Sequence, residues 1–390
     1  MPNIDSEHIL DLLALSMVSG LGPVRVGRLL DRFTTASGVF EASPAEIERV
    51  EGIGPKTARA IGRERKKALG RAREEMRQAE EIGATVLCRD DPRFPGLLRP
   101  LPGCPHVLFV RGGFDDRDRF AVGIVGSRRC TGYGLEQATR FAGAFASAGI
   151  TVVSGGARGI DSAAHRGALN VGGRTIVVLG CGLGHCYPPE NLAMFDHIVE
   201  SGGAVVSELP CDTPPAPENF PARNRLISGL SLGVLVVEAG LKSGALITAG
   251  VAAEEHGRDV FALPGRVDSA ASEGVHGLIK SGGALLVTEP ADIIGALEAP
   301  AWHLFQGTHE SRYTLGGGVS PGTAGGGLED RPVPGGEAGR AVLVACTEPS
   351  TPDQIGLATG LDASAVRQAV TLLEIGGFLK RSGSKLVRSR

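Results

Sequence analysis

Residues 120–161 read FAVGIVGSRRCTGYGLEQATRFAGAFASAGITVVSGGARGID. Two short runs rich in β-branched residues, FAVGIVG and ITVVSGG, each end in glycine, and a helical pattern, GLEQATRFAGAFASAG, lies between them. Unbroken apolar runs of this length suit parallel strands covered on both faces, and the connection is long enough for a βαβ crossover. The unit recurs between Ala84 and Leu297, in RTIVVLG, AVVSEL, GVLVVEA, DVFALPG and ALLVTEP. The spacing predicts an α/β fold, a Rossmann-like doubly wound parallel sheet, in which ligands bind beyond the carboxyl ends of the strands.

Working outward, residues 83–300 form the predicted sheet domain and residues 1–82 a helical domain. Two glycine turns recur in the helical part, SGLGPVRVGRLL from Ser19 and EGIGPKTARAIG from Glu51, with 32 residues between Gly20 and Gly52. Each Gly-apolar-Gly turn leads into a helix whose first N–H groups can face a phosphate, the pattern of a tandem helix-hairpin-helix or SAM-like module. Capping of two packed helices is the competing reading. The run RERKKALGRAREEMR from Arg63 reads as a solvated charged helix face. Residues 301–338, rich in Gly, Pro and Thr, read as a flexible linker. Residues 339–390 carry three short helical patterns and two strand-like pieces around a Gly-Ser turn, which predicts a winged-helix-like domain.

Composition narrows the function. The 390 residues are 42% apolar and only 4% aromatic, with 58 glycines, which fits a globular chain turned by glycine. The formal net charge of -3 excludes a globally basic nucleic-acid coat, so a DNA site must be a local patch. Seven cysteines with no Cys-x-x-Cys pair point to reduced thiols and a cytoplasmic protein. No signal-peptide pattern opens the chain and no apolar run reaches the ~18 residues that span a bilayer.

Two loops carry the chemistry. After FAVGIVG, residues Gly126, Ser127 and Arg128 stand where a strand stops and a helix begins; N–H groups and the helix dipole favour an anion there, and Arg128 adds a bidentate fork. After ITVVSGG, Gly155 and Arg158 repeat the arrangement. Asp161 reads as an N-terminal cap.

The motifs GSRRCTGYG, SGGARGID, YPPEN, SE, FPARNRLISGLS, EAGLKSGALITA, GRDVFALPG and GVHGLIKSGGA, in this order, are similar to those of the DprA/Smf family over roughly residues 85–295. The resemblance implies a non-enzymatic, single-stranded-DNA-binding recombination mediator. Such a protein protects incoming DNA in natural transformation, loads the recombinase RecA and forms a homodimer; double-stranded DNA is the second nucleic-acid candidate, and neither a membrane partner nor a cofactor is implied. It puts Gly126, Ser127 and Arg128 first in a DNA pocket, with Gly155, Arg158, Arg174, Asn224, Arg225 and Lys242 in matching motifs. One departure stands out: many relatives carry a basic residue after Tyr-Pro, where this chain has Pro189. Val275, Leu278 and Ile279 have helical spacing and suit either a partner subunit or the chain's own sheet.

The competing class is a nucleotide or nucleotide-sugar hydrolase of the lysine-decarboxylase-like superfamily. Its Pro-Gly-Gly-x-Gly-Thr-x-x-Glu motif is missing, although Glu238 lies in the comparable segment. Gly-x-x-x-x-Gly-Lys-Ser/Thr and Gly-x-Ser-x-Gly are also missing, and GCGLGH from Gly180 does not open a helix as a dinucleotide fingerprint would. Cys181, His185 and Cys186 lack a fourth ligand at a known zinc spacing and read as a buried turn.

Overall fold

The computed structural model describes residues 6–297, 336–346, 350–361 and shorter stretches up to residue 388. It divides into two units, residues 1–308 and 309–390.

In the first unit, helices α1 (Ser6–Ser16), α2 (Pro23–Phe33), α3 (Ala36–Glu41), α4 (Pro44–Ile47) and α5 (Pro55–Glu81) precede the sheet. Helices α2 and α5 start in the same way: Gly22 and Gly54 are the caps and proline is the first helical residue, where its missing N–H costs nothing. The turns before them put Gly20 and Gly52 at φ +84° and +81°, a region closed to most L residues. The two hairpins meet, for Arg28 Nη1 donates to Glu51 O at 3.0 Å.

Helix α5 corrects one expectation. Its charged run is not wholly solvated: Ala68, Ala72, Glu75 and Ala79 turn inward. The Glu75 carboxylate accepts the Cys211 N–H at 2.6 Å, and burial raises its pKa. This face joins α1 and α5 to one apolar core shared with the sheet residues Cys88, Val107, Phe109, Val177 and Val205.

The sheet has nine strands: β1 (Ala84–Cys88), β2 (Val107–Gly112), β3 (Ala121–Val125), β4 (Thr151–Ser154), β5 (Thr175–Val178), β6 (Ala204–Ser207), β7 (Gly233–Val236), β8 (Asp259–Ala262) and β9 (Leu285–Leu286). Their order is β1-β2-β6-β5-β4-β3-β7-β8-β9. All pairings from β6 to β9 are parallel. The predicted sheet lacked its first two strands, which join antiparallel at the β6 edge. Helices α6 (Gly132–Ser147), α7 (Ile160–Leu169), α8 (Leu192–Glu200), α9 (Asn219–Gly229), α10 (Gly244–Gly250) and α11 (Glu273–Lys280) provide the connections. The chain runs outward from β3 to β6, then returns through α9 to place β7 on the other side of β3. In doubly wound sheets such a reversal marks where ligands bind, beyond the carboxyl ends of the strands.

In the second unit, α12 (Gly336–Ala345), α13 (Pro352–Thr359) and the antiparallel pair β10 (Leu379–Ser382) and β11 (Lys385–Arg388) surround Val342, Ile355, Val370, Leu373 and Leu386. Thr351 and Gln354 form a capping box on α13, and Gly360 ends it at φ +70°. The expected linker at 301–338 lies outside the described residues except for its last three. The third helix of the expected winged-helix-like domain is described only in part.

Candidate nucleic-acid interface

The loops after β3 and β4 interlock. Ile160 N–H donates to Ser127 O at 3.3 Å, and Ser127 N–H to Glu238 O at 2.7 Å. A Cβ on Gly126 would lie 2.5 Å from Ile160 Cγ1, so glycine there admits α7 against the end of β3. The loop residues Gly126, Ser127 and Arg158 thus lie together with Arg128, and Gly155 is buried beneath them.

The helix N-termini are not open to a ligand, contrary to expectation. Helix α6 starts four residues beyond Arg128, and its cap, Thr131, is held by the buried Glu238: the carboxylate accepts the Thr131 N–H at 2.8 Å and its hydroxyl at 2.6 Å. Helix α7 is capped by Gly159, correcting the reading of Asp161 as the cap. Asp161 lies two residues on and accepts the Ala157 N–H at 3.3 Å. A carboxylate therefore fills the N-terminus of α6, while at α7 the Ile160 and Ser162 N–H groups are taken by the carbonyls of Ser127 and Ala157.

What remains is a ladder of two exposed guanidinium groups and two half-buried rings. Arg128 lies over Phe220, 4.7 Å from its centroid. Phe220 meets Tyr187 at 5.6 Å between centroids, and Arg158 stands 6.0 Å over Tyr187. Lys242 is exposed on the loop after β7. Neither ring stood among the expected site residues, although FPARNR puts Phe220 and Arg223 three apart on one face of α9.

Arg223, also not anticipated, is the buried support of the site. It donates to Gly155 O at 2.7 Å and to Val178 O, and burial brings its pKa down to about 10. A Cβ on Gly155 would fall 2.6 Å from Asp161 Oδ2 and 2.7 Å from Arg223 Nη2, so the glycine lets these two groups converge. Its neighbours in the motif have other partners: Asn224 Nδ2 donates to Gly244 O at 3.2 Å, and Arg225 pairs with Glu208, whose own pKa burial raises. Arg158 is engaged too, by the two oxygens of Glu190, one of them at 3.0 Å. Where a basic residue was missing at Pro189, the next residue adds negative charge.

Arg174 leaves the site altogether. It precedes β5, at the amino end of the strand, and is buried; its guanidinium donates to Asp118 Oδ1 at 2.6 Å and Oδ2 at 2.7 Å, to Gly113 O at 2.6 Å and to Gly202 O. Cys181 and Cys186 donate to the carbonyls of His185 and Pro188, and among the described residues no three His, Cys, Asp or Glu side chains converge on a metal position.

A profile of the DNA recombination-mediator protein A family matches residues 85–298, more than half the chain. The chain belongs to this family. Its members here include protein Smf of Synechocystis sp., 41% identical over 281 residues that cover 71% of this chain and 70% of the relative. Protein Smf of Escherichia coli is 46% identical over 219 residues, 56% of this chain and 58% of the relative. The solved DNA processing protein A from Streptococcus pneumoniae superposes with a TM-score of 0.63 at 33% identity, covering 74% of this chain and 97% of that one. Residues 12–67 match a SAM-like helix-hairpin-helix tandem, as the two glycine turns predict. DNA processing is thus the family's business, and no helix among the described residues is long and apolar enough to cross a membrane.

Proposed function

We propose that this DNA recombination-mediator family chain is a cytoplasmic, non-enzymatic protein that binds single-stranded DNA beyond the carboxyl ends of β3, β4 and β5. It would protect incoming strands in natural transformation and deliver them to RecA. The observation that carries the reading is the ladder Arg128–Phe220–Tyr187–Arg158. A single strand repeats phosphate and base, and a surface on which two cations flank two adjoining rings offers a partner to each without reading base edges. Duplex DNA, whose bases are already stacked, gains less from the rings. The hydrolase alternative loses support because Glu238 is buried and spent on Thr131.

The homodimer is part of this proposal, with a changed surface. Val275 is fully buried, and Leu278 and Ile279 pack against the same sheet core, so that face is filled from within. The edge strand β9 instead exposes Leu285 and Leu286, 55% and 52% accessible, beside unpaired backbone. Two protomers would set two pockets on one strand and gain avidity.

The test is titration of a labelled oligothymidylate against salt, beside a thin-layer assay with nucleoside monophosphates. With about four phosphates neutralised, log K against log salt should slope near -3 at ~0.7 per contact. A flat salt response or hydrolysis of the monophosphates would overturn the reading.

A further inference from the structure

Asp161 is a buried carboxylate at the start of α7. It stands in the first turn of α7 with its carboxylate on the Ala157 N–H, facing the loop that carries Arg128 and Cys130, the buried Arg223 from α9, and Ser154 at the end of β4. One turn on, His165 is buried as well; its Nδ1 meets Thr175 Oγ1 at 2.8 Å, and its Nε2 has no hydrogen-bond partner. The buried Arg223 converges with this carboxylate at Gly155, and Arg128 acts on it from the exposed rim of the site. A phosphate arriving at Arg128 adds a second negative charge beside this carboxylate.

Resting on the DNA-binding reading above, we propose that Asp161 is a proton-linked counter-charge, which takes up one proton from solvent when a DNA phosphate settles against Arg128. The O–H bond forms on the carboxylate and nothing else is transferred. In the free protein burial raises the pKa of Asp161 to about 6 against the opposing pull of Arg223, the Ala157 N–H and Arg128. A bound phosphate stabilises the neutral acid further, because like charges at close range disfavour ionisation. The groups packed around it do not titrate in the same range: burial and Arg223 hold His165 down at about 3, Arg223 lies at about 10, Cys181 beside it is pushed up to about 11 by burial, and the Cys130 thiol is raised.

The sign follows from linkage. Binding that takes up a proton strengthens as pH falls, by up to about tenfold per pH unit, from the bound-state pKa down to about pH 6, where the free protein is already protonated. Oligothymidylate affinity should therefore rise from pH 8 to pH 6 and level off below. Asp161→Asn should bind more tightly than wild type at pH 8 and show no such rise. Calorimetry of the wild type at pH 7, in buffers of different ionisation heat, counts the protons without any variant and should find a net uptake. The same count on His185→Gln should be unchanged, which separates the imidazole on the β5 loop. Parallel pH profiles for wild type and Asp161→Asn, or binding with zero proton uptake, would overturn this inference alone. Loss of binding at every pH in the wild type would overturn the DNA reading and the inference with it.

Discussion

Arg128 and Arg174 are the same residue type in family-like motifs flanking strands of one sheet, yet they lie at opposite ends and do different work. Arg128 follows β3, at the carboxyl end, and lies exposed over a ring. Arg174 precedes β5, at the amino end, and is sealed by Asp118 and two backbone carbonyls. The comparison teaches that the end of the strand, more than the motif, decides whether a cation is structural or open to a ligand. In a doubly wound sheet only the carboxyl ends face the crevice.

The largest expected effect separates the two roles. Arg174→Ala leaves Asp118, nearly buried, with the Thr151 hydroxyl and the Asp115 N–H as its remaining partners. Breaking a buried pair on one side costs about 3 to 5 kcal/mol, so a large drop in denaturant midpoint is expected, with DNA affinity intact in whatever fraction stays folded. A mild effect on stability with lost DNA binding would return Arg174 to the site.

Next in size, Phe220→Leu should keep α9 packed but remove one of the two rings of the ladder. About 1 to 3 kcal/mol per stacked base is at stake, read as a loss of affinity for oligothymidylate with an unchanged salt slope. A changed slope with unchanged affinity would show that the ring serves only to seat Arg128.

Smaller still, Glu190→Gln frees Arg158 from its internal partner. Exposed pairs of this kind are worth little, so DNA binding should tighten by roughly twofold to fivefold, most visibly at low salt. Weaker binding would mean that Glu190 orients Arg158 for the strand.

The sheet was legible because seven of its strands lie in short apolar runs closed by Gly, Ser or Pro, most of them β-branched as a parallel, doubly covered strand requires. β1 and β2 were harder to read. They are separated by the loop DDPRFPGLLRPLPGCP, and an antiparallel edge leaves no such uniform signature. At the site, Gly126, Ser127, Arg128, Gly155 and Arg158 were legible from strand-to-helix switches. Arg174 was misread although its place ahead of β5 already put it at the amino end. Arg223 could not be told from Asn224 and Arg225 by type or spacing, since which of three adjacent polar groups points inward is set by how α9 seats on the sheet. Nor does a single chain show that Glu238, far along the sequence, fills the N-terminus of α6.

The most direct test of the central claim compares Arg128→Ala with Arg73→Ala, an exposed arginine of α5, in oligothymidylate affinity and melting temperature side by side. Losing a charge-assisted phosphate contact is worth about 1.5 to 3 kcal/mol, so Arg128→Ala should bind roughly ten- to a hundredfold more weakly, while Arg73→Ala binds like wild type and both melt alike. Equal affinities for the two variants, with unchanged melting, would contradict a single-strand site beyond the carboxyl ends of β3, β4 and β5.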